Sequence, residues 1–209
     1  MNGNLEKYLL DNSSPEDPVL DELYRQTHAR FVNPNMISGH LQGRLLEMIS
    51  KMIQPENILE IGTFTGYSAI CLAKGLRPGG KLITIELNDE LTTFAGLYFE
   101  KSGLSSSIEQ RTGNALDIIP QLDILFDLVF IDADKREYVD YYRVLFDIVK
   151  SGGFILADNV LWGGKALDKN TRDPQAKGII DFNEMIRKQN DIERLILPLR
   201  DGLLIVRKK

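Results

Sequence analysis

The chain has 209 residues, of which 43% are hydrophobic and 26% charged; these are the proportions of a compact domain and exclude a largely disordered, collagen-like or disulfide-stapled chain. Twenty-five Lys and Arg against 30 Asp and Glu leave a net charge of -5, a poor field for gripping phosphate backbones without a local basic patch. The single cysteine, Cys71, allows neither an internal disulfide nor a thiolate metal cage, and no signal sequence or membrane-spanning apolar run is found, so a soluble, cytoplasmic protein without membrane contact is expected.

Helical stretches are expected over Pro18–Arg30 and Leu41–Ile53, joined by the turn Asn33-Pro34-Asn35-Met36. Residues 1–56 thus read as a helical lid or packing layer before a core of 57–209, the whole forming one domain, 1–209. From Asn57 onward, short apolar runs alternate with amphipathic stretches, the signature of β-α-β units around a parallel sheet. Strands are expected at Asn57–Ile61, Lys81–Glu86, Ile108–Thr112, Phe126–Ile131 and Gly153–Ala157, and helices at Gly66–Lys74, Leu91–Ser102, Tyr138–Val149 and Pro174–Gln189. Asp173 suits the N-cap of the last helix and Pro174 its first turn. Two final strands, Ile192–Leu197 and Leu203–Arg207, lack a helix between them, and Asp201-Gly202 marks an antiparallel hairpin.

In an open doubly wound sheet, ligands bind outside the carboxyl ends of the strands. Gly62 and Gly66 follow the first strand in a G-x-x-x-G spacing, which alone also fits an ordinary strand-to-helix turn. Two acids add to it. Glu60 lies in an apolar strand, where a buried carboxylate is costly without a donor, and Glu86 ends the second strand about 20 residues after Gly66, the spacing at which an acid holds ribose hydroxyls. A nucleoside-containing cofactor is expected; the absence of G-x-G-x-x-G disfavours a pyrophosphate bridge and with it an NAD-dependent dehydrogenase. Asp132 and Asp134 follow the fourth strand, and Asp158 and Asn159 the fifth. If those strands are neighbours, Asp132, Asp158 and Asn159 form an open oxygen site for Mg²⁺, Mn²⁺ or Ca²⁺, although acids in such places also cap helices. Lys135 is the candidate general base, its pKa lowered by a nearby cation and partial burial, and a solvated surface lysine is the other reading.

With these residues, the chain resembles the class I, S-adenosylmethionine (SAM)-dependent, metal-dependent O-methyltransferases, which include catechol and caffeoyl-CoA O-methyltransferases, and is most like their small bacterial branch. The resemblance runs from about Met36 to Lys209, through LEIGTFTGYSA at Leu59–Ala69, IDADK at Ile131–Lys135, DNVLWGGK at Asp158–Lys165 and DGLLIVRK near the end. It implies a Rossmann-like, doubly wound, seven-stranded, mostly parallel α/β sheet with an antiparallel C-terminal pair. It implies metal ligands at Asp132, Asp158 and Asn159 and catalytic roles for Lys135 and Asp132. Cofactor contacts fall at Ile37, Ser38, Glu60, Gly62, Ser68, Glu86, Asn114, Ala115, Asp132 and Asp134. The family's substrate-recognition pattern is broken at Leu195 and Gly163, where animal catechol and plant caffeoyl-CoA enzymes respectively carry a glutamate and an asparagine.

The implied reaction is methyl transfer from SAM to a hydroxyl of a metal-chelated ortho-dihydroxy aromatic, with Trp162 walling the substrate pocket. For Tyr138, Tyr141 and Tyr142, a packed helix face is at least as good a reading as a pocket wall. An alternative acceptor is 5-hydroxyuridine in transfer RNA, which the clusters Lys165, Lys169, Arg172 and Arg207-Lys208-Lys209 would have to serve. His28 and His40 lie outside the strand-end loops and read as structural or surface residues. Apolar residues to spare in the N-terminal helices, including Leu20, Leu23, Tyr24 and Phe31, accompany the homodimer common in this family.

Overall fold

The computed structural model describes residues 3–209; Met1 and Asn2, the first residues of the expected N-terminal layer, lie outside them. The apolar runs form β1 (Asn57–Ile61), β2 (Lys81–Glu86), β3 (Ile108–Thr112), β4 (Phe126–Ile131), β5 (Val149–Ala157), β6 (Ile192–Leu197) and β7 (Leu203–Lys208). They pair into one seven-stranded sheet in the order β3-β2-β1-β4-β5-β7-β6. The first five strands are parallel, and β7 runs antiparallel to both β5 and β6. The strand order switches between β1 and β4, where an open α/β sheet leaves a crevice at its carboxyl edge.

The strands match expectation closely at their carboxyl ends. β5 starts at Val149 rather than Gly153, because Val149 pairs with Phe126 across a register shift that draws polar Lys150 and Ser151 into the ladder. The helices are α1 (Gly3–Asp11), α2 (Pro18–Arg30), α3 (His40–Ile53), α4 (Tyr67–Ala73), α5 (Thr92–Lys101), α6 (Ala115–Ile118), α7 (Tyr138–Ile148) and α8 (Pro174–Lys188). Neither α1 nor α6 was legible from periodicity: α1 fully buries no residue, and α6 is a single turn started by the Asn114 side chain, which accepts from Leu116 N. Asp173 caps α8 as expected, accepting from Gln175 N and Ala176 N.

Alternation along the central strands divides the core between two faces. Leu59, Ile61, Val129, Ile131, Ile155 and Ala157 pack with Tyr138, Tyr142 and Phe182 beneath α7 and α8. Ile58, Leu128, Phe130 and Leu156 pack on the opposite face with Leu23, Leu46, Ile70 and Phe99 from α2 to α5. Each such side chain contributes roughly 1.5–3 kcal/mol of burial. Of the apolar residues singled out in the N-terminal helices, Leu20 and Leu23 are buried in this core, Phe31 is half-buried and packs edge-on against Phe94 with ring centroids 4.9 Å apart, and Tyr24 is exposed, as are Leu5, Tyr8, Met48 and Met52. No helix among the described residues is long and apolar enough to cross a membrane.

Helix α8 crosses the short 3-10 turn Lys135–Glu137 so closely that a Cβ on Gly178 would lie 2.3 Å from the Lys135 carbonyl oxygen and 2.7 Å from Arg136 Cα. Alanine normally favours a helix interior over glycine by about 1 kcal/mol. Here Gly178→Ala is expected to lower the chemical-denaturation midpoint by the equivalent of about 1–3 kcal/mol, the usual cost of overpacking. A midpoint at or above wild type would show that this contact is not fixed.

Candidate active site

A cavity of about 920 Å³ opens at the carboxyl edge of the sheet. The β1–α4 loop contributes Gly62 and Ser68, the end of β2 Glu86, and the segment after β3 Asn114 and Ala115. Asp132, Asp134 and Lys135 come from the loop after β4, Asp158, Asn159 and Trp162 from the loop after β5, and Ile37 and Ser38 from the N-terminal segment. The sequence-expected site residues therefore share one cavity, with Glu60 the exception. Gly62 makes part of this convergence possible: its φ is +94°, and a Cβ there would lie 2.3 Å from the Asp132 carbonyl oxygen, so only glycine lets the first loop approach the fourth.

The carboxylate pair follows from the β4–β5 register. Ile131 and Ala157 are partners across the ladder, so the residues that follow them, Asp132 and Asp158, leave the sheet side by side. Asp158 is buried; its Oδ2 accepts from Gln42 Nε2 at 2.7 Å and its Oδ1 from Asn159 N at 2.8 Å. Burial, and next the charge of Asp132, raise its pKa to about 6, with the hydrogen bonds from Gln42 and Asn159 acting against them. Lys135 is buried and donates from Nζ to Asp132 Oδ1 at 2.8 Å. Tyr138 sits below them, its hydroxyl donating to the carbonyls of Asp158 at 3.0 Å and Ile131 at 3.2 Å, which ties the two strand ends together. Asn159 adopts φ 59°, a left-handed conformation that asparagine tolerates better than most residues, as the chain turns away from the pair.

This is an oxygen-only donor set with an unbalanced negative charge, and it fits a hard divalent cation better than zinc. It is not a closed cage. Among the described residues no group of three or more His, Cys, Asp or Glu could hold a metal by itself, so Asp132, Asp158 and the Asn159 amide would leave positions for water or a bound oxygen ligand.

Glu60 lies beneath the cavity rather than on its wall. Strand alternation turns it toward the α3–α4 face, where it is 0% exposed. Its Oε2 accepts from Thr84 Oγ1 at 2.6 Å, and no donor among the described residues makes a well-formed bond to Oε1. Burial pushes its pKa up to about 8, with Asp132 and Glu86 adding to the shift and the hydroxyls of Ser68 and Thr84 opposing it. A buried carboxyl with an orphaned oxygen next to a cavity is a site that a cationic ligand would relieve.

The remaining groups are held by local contacts. Glu86 accepts from Phe64 N at 2.8 Å and Asn88 N at 3.0 Å, which fixes its carboxylate at the rim with lone pairs left over. Asp134 caps the turn at Lys135–Glu137, and the Arg136 guanidinium holds its carboxyl below the usual range. Trp162 is kept against the cavity by an indole N–H bond to Asp173 Oδ2 at 3.0 Å. Tyr141 also lines the cavity, whereas Tyr138 and Tyr142 belong to the core. His28 and His40 bond the carbonyls of Tyr24 and Ser14, each at 2.9 Å, and neither reaches the cavity. Leu195 lies on the exposed edge strand β6, outside the cavity lining, so the departure at that position does not alter the wall. Of the basic clusters, Lys165 pairs with Asp173 at 2.7 Å, Arg207 with Glu193 at 3.0 Å, and Lys208 bonds the carbonyls of Phe146 and Val149. Sequence reading missed Gln42 and Arg200, whose partners lie more than 100 residues away in the chain and leave no local signal.

Comparison with known proteins shows the family. Residues 10–209 match the model of a family described as O-methyltransferase. A catechol O-methyltransferase of Niastella koreensis is 38% identical over 80% of this chain and 75% of its own length. Caffeoyl-CoA O-methyltransferase 2 of Petunia hybrida is 33% identical over 98% of this chain and 90% of its own. The crystal structure of TomG, an O-methyltransferase of Streptomyces achromogenes involved in tomaymycin synthesis, in complex with SAM, superimposes with a TM-score of 0.93 at 32% identity, covering 99% of this chain and 96% of that one.

Glu60 gives the site a measurable pH dependence. Its folded pKa of about 8 lies above the ordinary value of 4.5, so the folded protein retains a proton that the unfolded chain loses, and stability falls as pH rises from 4.5 through 8. At 1.36 kcal/mol per pH unit the loss reaches up to about 5 kcal/mol. Glu60→Gln, which keeps the shape without the titration, is expected to flatten that part of the curve in denaturant titrations of the ligand-free protein. A variant with the wild-type slope would show that Glu60 titrates normally.

Proposed function

The chain belongs to the O-methyltransferase family, and we propose that it transfers the methyl group of SAM to a hydroxyl oxygen of an ortho-dihydroxy aromatic, of catechol or caffeoyl type, held beside a divalent cation, Mg²⁺ first among the candidates. One observation carries this reading: Asp132, Lys135, Asp158 and Asn159 meet at the paired ends of β4 and β5, in the same cavity as Gly62, Ser68 and Glu86. A second acceptor class, transfer RNA, lacks a comparable observation, because none of the residues of the basic clusters lines the cavity. The dehydrogenase alternative is set aside by family membership. A small aromatic acceptor, a homodimer and cytoplasmic location belong to the same reading.

Bound SAM supplies a methyl group already activated by its sulfonium, so the chain's own task is to bind, align and deprotonate. Glu86 presents carboxylate lone pairs for the ribose hydroxyls, and Asn114 with Ala115 border the adenine side. Asp132 and Asp134 set a negative environment that suits the cationic end of the cofactor, and Glu60 beneath adds its charge when a cationic ligand favours its ionised form. Asp132, Asp158 and Asn159 would hold the divalent cation, which supplies positive charge that acidifies neighbouring hydroxyls. Lys135 Nζ is placed to take the acceptor's phenolic proton, and its bond to Asp132 keeps that nitrogen pointed into the cavity. Trp162, pinned by Asp173, offers a flat wall that orients an aromatic acceptor and excludes water.

Two measurements test the reading. With labelled SAM and a panel of catechol, caffeoyl thioester and transfer RNA bearing 5-hydroxyuridine, methyl transfer is expected to the catechol-type acceptors, to need Mg²⁺, and to be lost with chelator or in Asp158→Ala; transfer that survives both treatments would remove the cation assignment. Lys135→Ala is expected to keep SAM affinity within a few-fold while lowering kcat by about 10²–10⁴-fold, the usual contribution of a positioned base. The deficit should narrow as pH approaches the acceptor's own pKa of about 10. An equal deficit at every pH would remove Lys135 as the base.

A further inference from the structure

The turn between β6 and β7, residues 198–202, carries a conflict that the reaction chemistry does not explain. Arg200 has φ 49°, in the left-handed region that disfavours a residue with a Cβ by roughly 1–2 kcal/mol. Such strain persists where surrounding contacts over-determine it. Here the contacts all lead to the opposite end of the chain. Arg200 Nη1 donates to the Ile37 carbonyl at 2.9 Å and to the Ser38 carbonyl, and Nη2 donates to the Asn35 carbonyl at 3.2 Å. Asn35, Ile37, Ser38 and Arg200 all line the cavity. Ile37 and Ser38 are buried although they lie between the 3-10 turn Pro34–Met36 and α3, outside any regular element.

The same guanidinium reaches Gln42 Oε1 at 3.2 Å, and that amide donates its Nε2 to Asp158 Oδ2 at 2.7 Å. Gln42 is 1% exposed, so its amide has little freedom to find other partners. The bond from Arg200 also settles which way the amide faces: with oxygen toward the guanidinium, the NH₂ must point at the carboxylate. One side chain from the C-terminal turn therefore ties down the N-terminal wall of the cavity and, through one intermediary, the buried acid of the carboxylate pair. A lysine keeps the charge but lacks the planar fork that bonds several acceptors at fixed angles.

We propose that Arg200 is a positioning residue that straps the segment Asn35–Ser38 at the cavity wall and orients Gln42 on Asp158, so that cofactor affinity depends on a side chain from the turn between β6 and β7. The strap rests on the reading of this cavity as the SAM site only for its effect on affinity; the tethering of the segment is independent of it. Glycine at position 200 removes the fork and relieves the positive φ together, so Arg200→Gly should fold at a melting temperature close to wild type.

The test uses the full chain without ligand and with S-adenosylhomocysteine. In the ligand-free protein, Arg200→Gly is expected to speed amide hydrogen exchange across residues 35–42 by about tenfold or more, the scale of losing one to two charge-assisted bonds, while β2 is unchanged. By calorimetry, the same variant should bind S-adenosylhomocysteine about tenfold more weakly, with Arg200→Lys recovering part of the loss. Methylthioadenosine, which lacks the amino-acid carboxylate, should be weakened as well, since the strap acts on the wall rather than on that group. Wild-type exchange rates in Arg200→Gly would overturn the proposal, as would an affinity loss confined to the carboxylate-bearing ligand, which would mark a direct contact. If the wild-type protein failed to bind S-adenosylhomocysteine, the cofactor reading would fall, and the exchange measurement would still decide the strap.

Discussion

Two acids that repel each other are held side by side at the ends of paired apolar strands, and the rest of the site is arranged around that constraint. The β4–β5 ladder ends with Ile131 opposite Ala157, which leaves Asp132 and Asp158 no way to diverge before they reach the cavity. Neighbouring like charges, one buried and one half-buried, are tolerated only with donors to meet them. Lys135 meets Asp132, Gln42 and the Asn159 amide meet Asp158, and the Tyr138 hydroxyl bridges the two carbonyls below. The sheet supplies the rigidity, and residues from the N-terminal layer and the following turns supply the compensation. A site assembled in this way is built for positive charge, since a cation at the open side offsets the repulsion between the two carboxylates.

The same logic extends one layer down. Glu60 could have been another apolar residue of β1, as its neighbours Leu59 and Ile61 are. Instead a carboxyl is buried with one oxygen unpaired, which costs stability in the ligand-free protein and favours its protonated form. A group that destabilises the empty fold and is relieved by a cationic ligand couples binding to stability, and its place directly beneath the Gly62 loop puts that coupling where a sulfonium cofactor would lie. The acidic balance of the chain is in part a property of this cavity, because Glu60, Glu86, Asp132, Asp134 and Asp158 all gather at or under it.

Much of this was legible residue by residue. The sheet could be read because its central strands are buried on both faces and therefore run as near-continuous apolar stretches, so Phe126–Ile131 declares itself without help from the rest of the chain. The acids at the strand ends could be read because the crossover topology sends every parallel strand to the same edge. Less visible was α1, which spans only nine residues and fully buries none of them, and the early start of β5, which depends on a register shift against Phe126. Two of the residues counted as spare in the N-terminal helices, Leu20 and Leu23, fill the core beside Leu46 and Ile70, a use that becomes visible only when α2 is packed against α3 and α4, whereas Tyr24 is exposed.

The sequence by itself determined the strand pattern, the family segments and the chemical types gathered at the cavity, because each of these is written in adjacent residues or short periods. Tertiary structure alone decided that Glu60 lies under the cavity instead of on it, since a strand residue's depth depends on which helix covers its face. It also decided that Gln42 and Arg200 belong to the site. Their partners, Asp158 for one and the Ile37 and Ser38 carbonyls for the other, lie 116 residues away for the first pair and more than 160 for the second. Hydrogen bonds of that reach follow from how the two ends of the chain close around the sheet, and no local pattern encodes them.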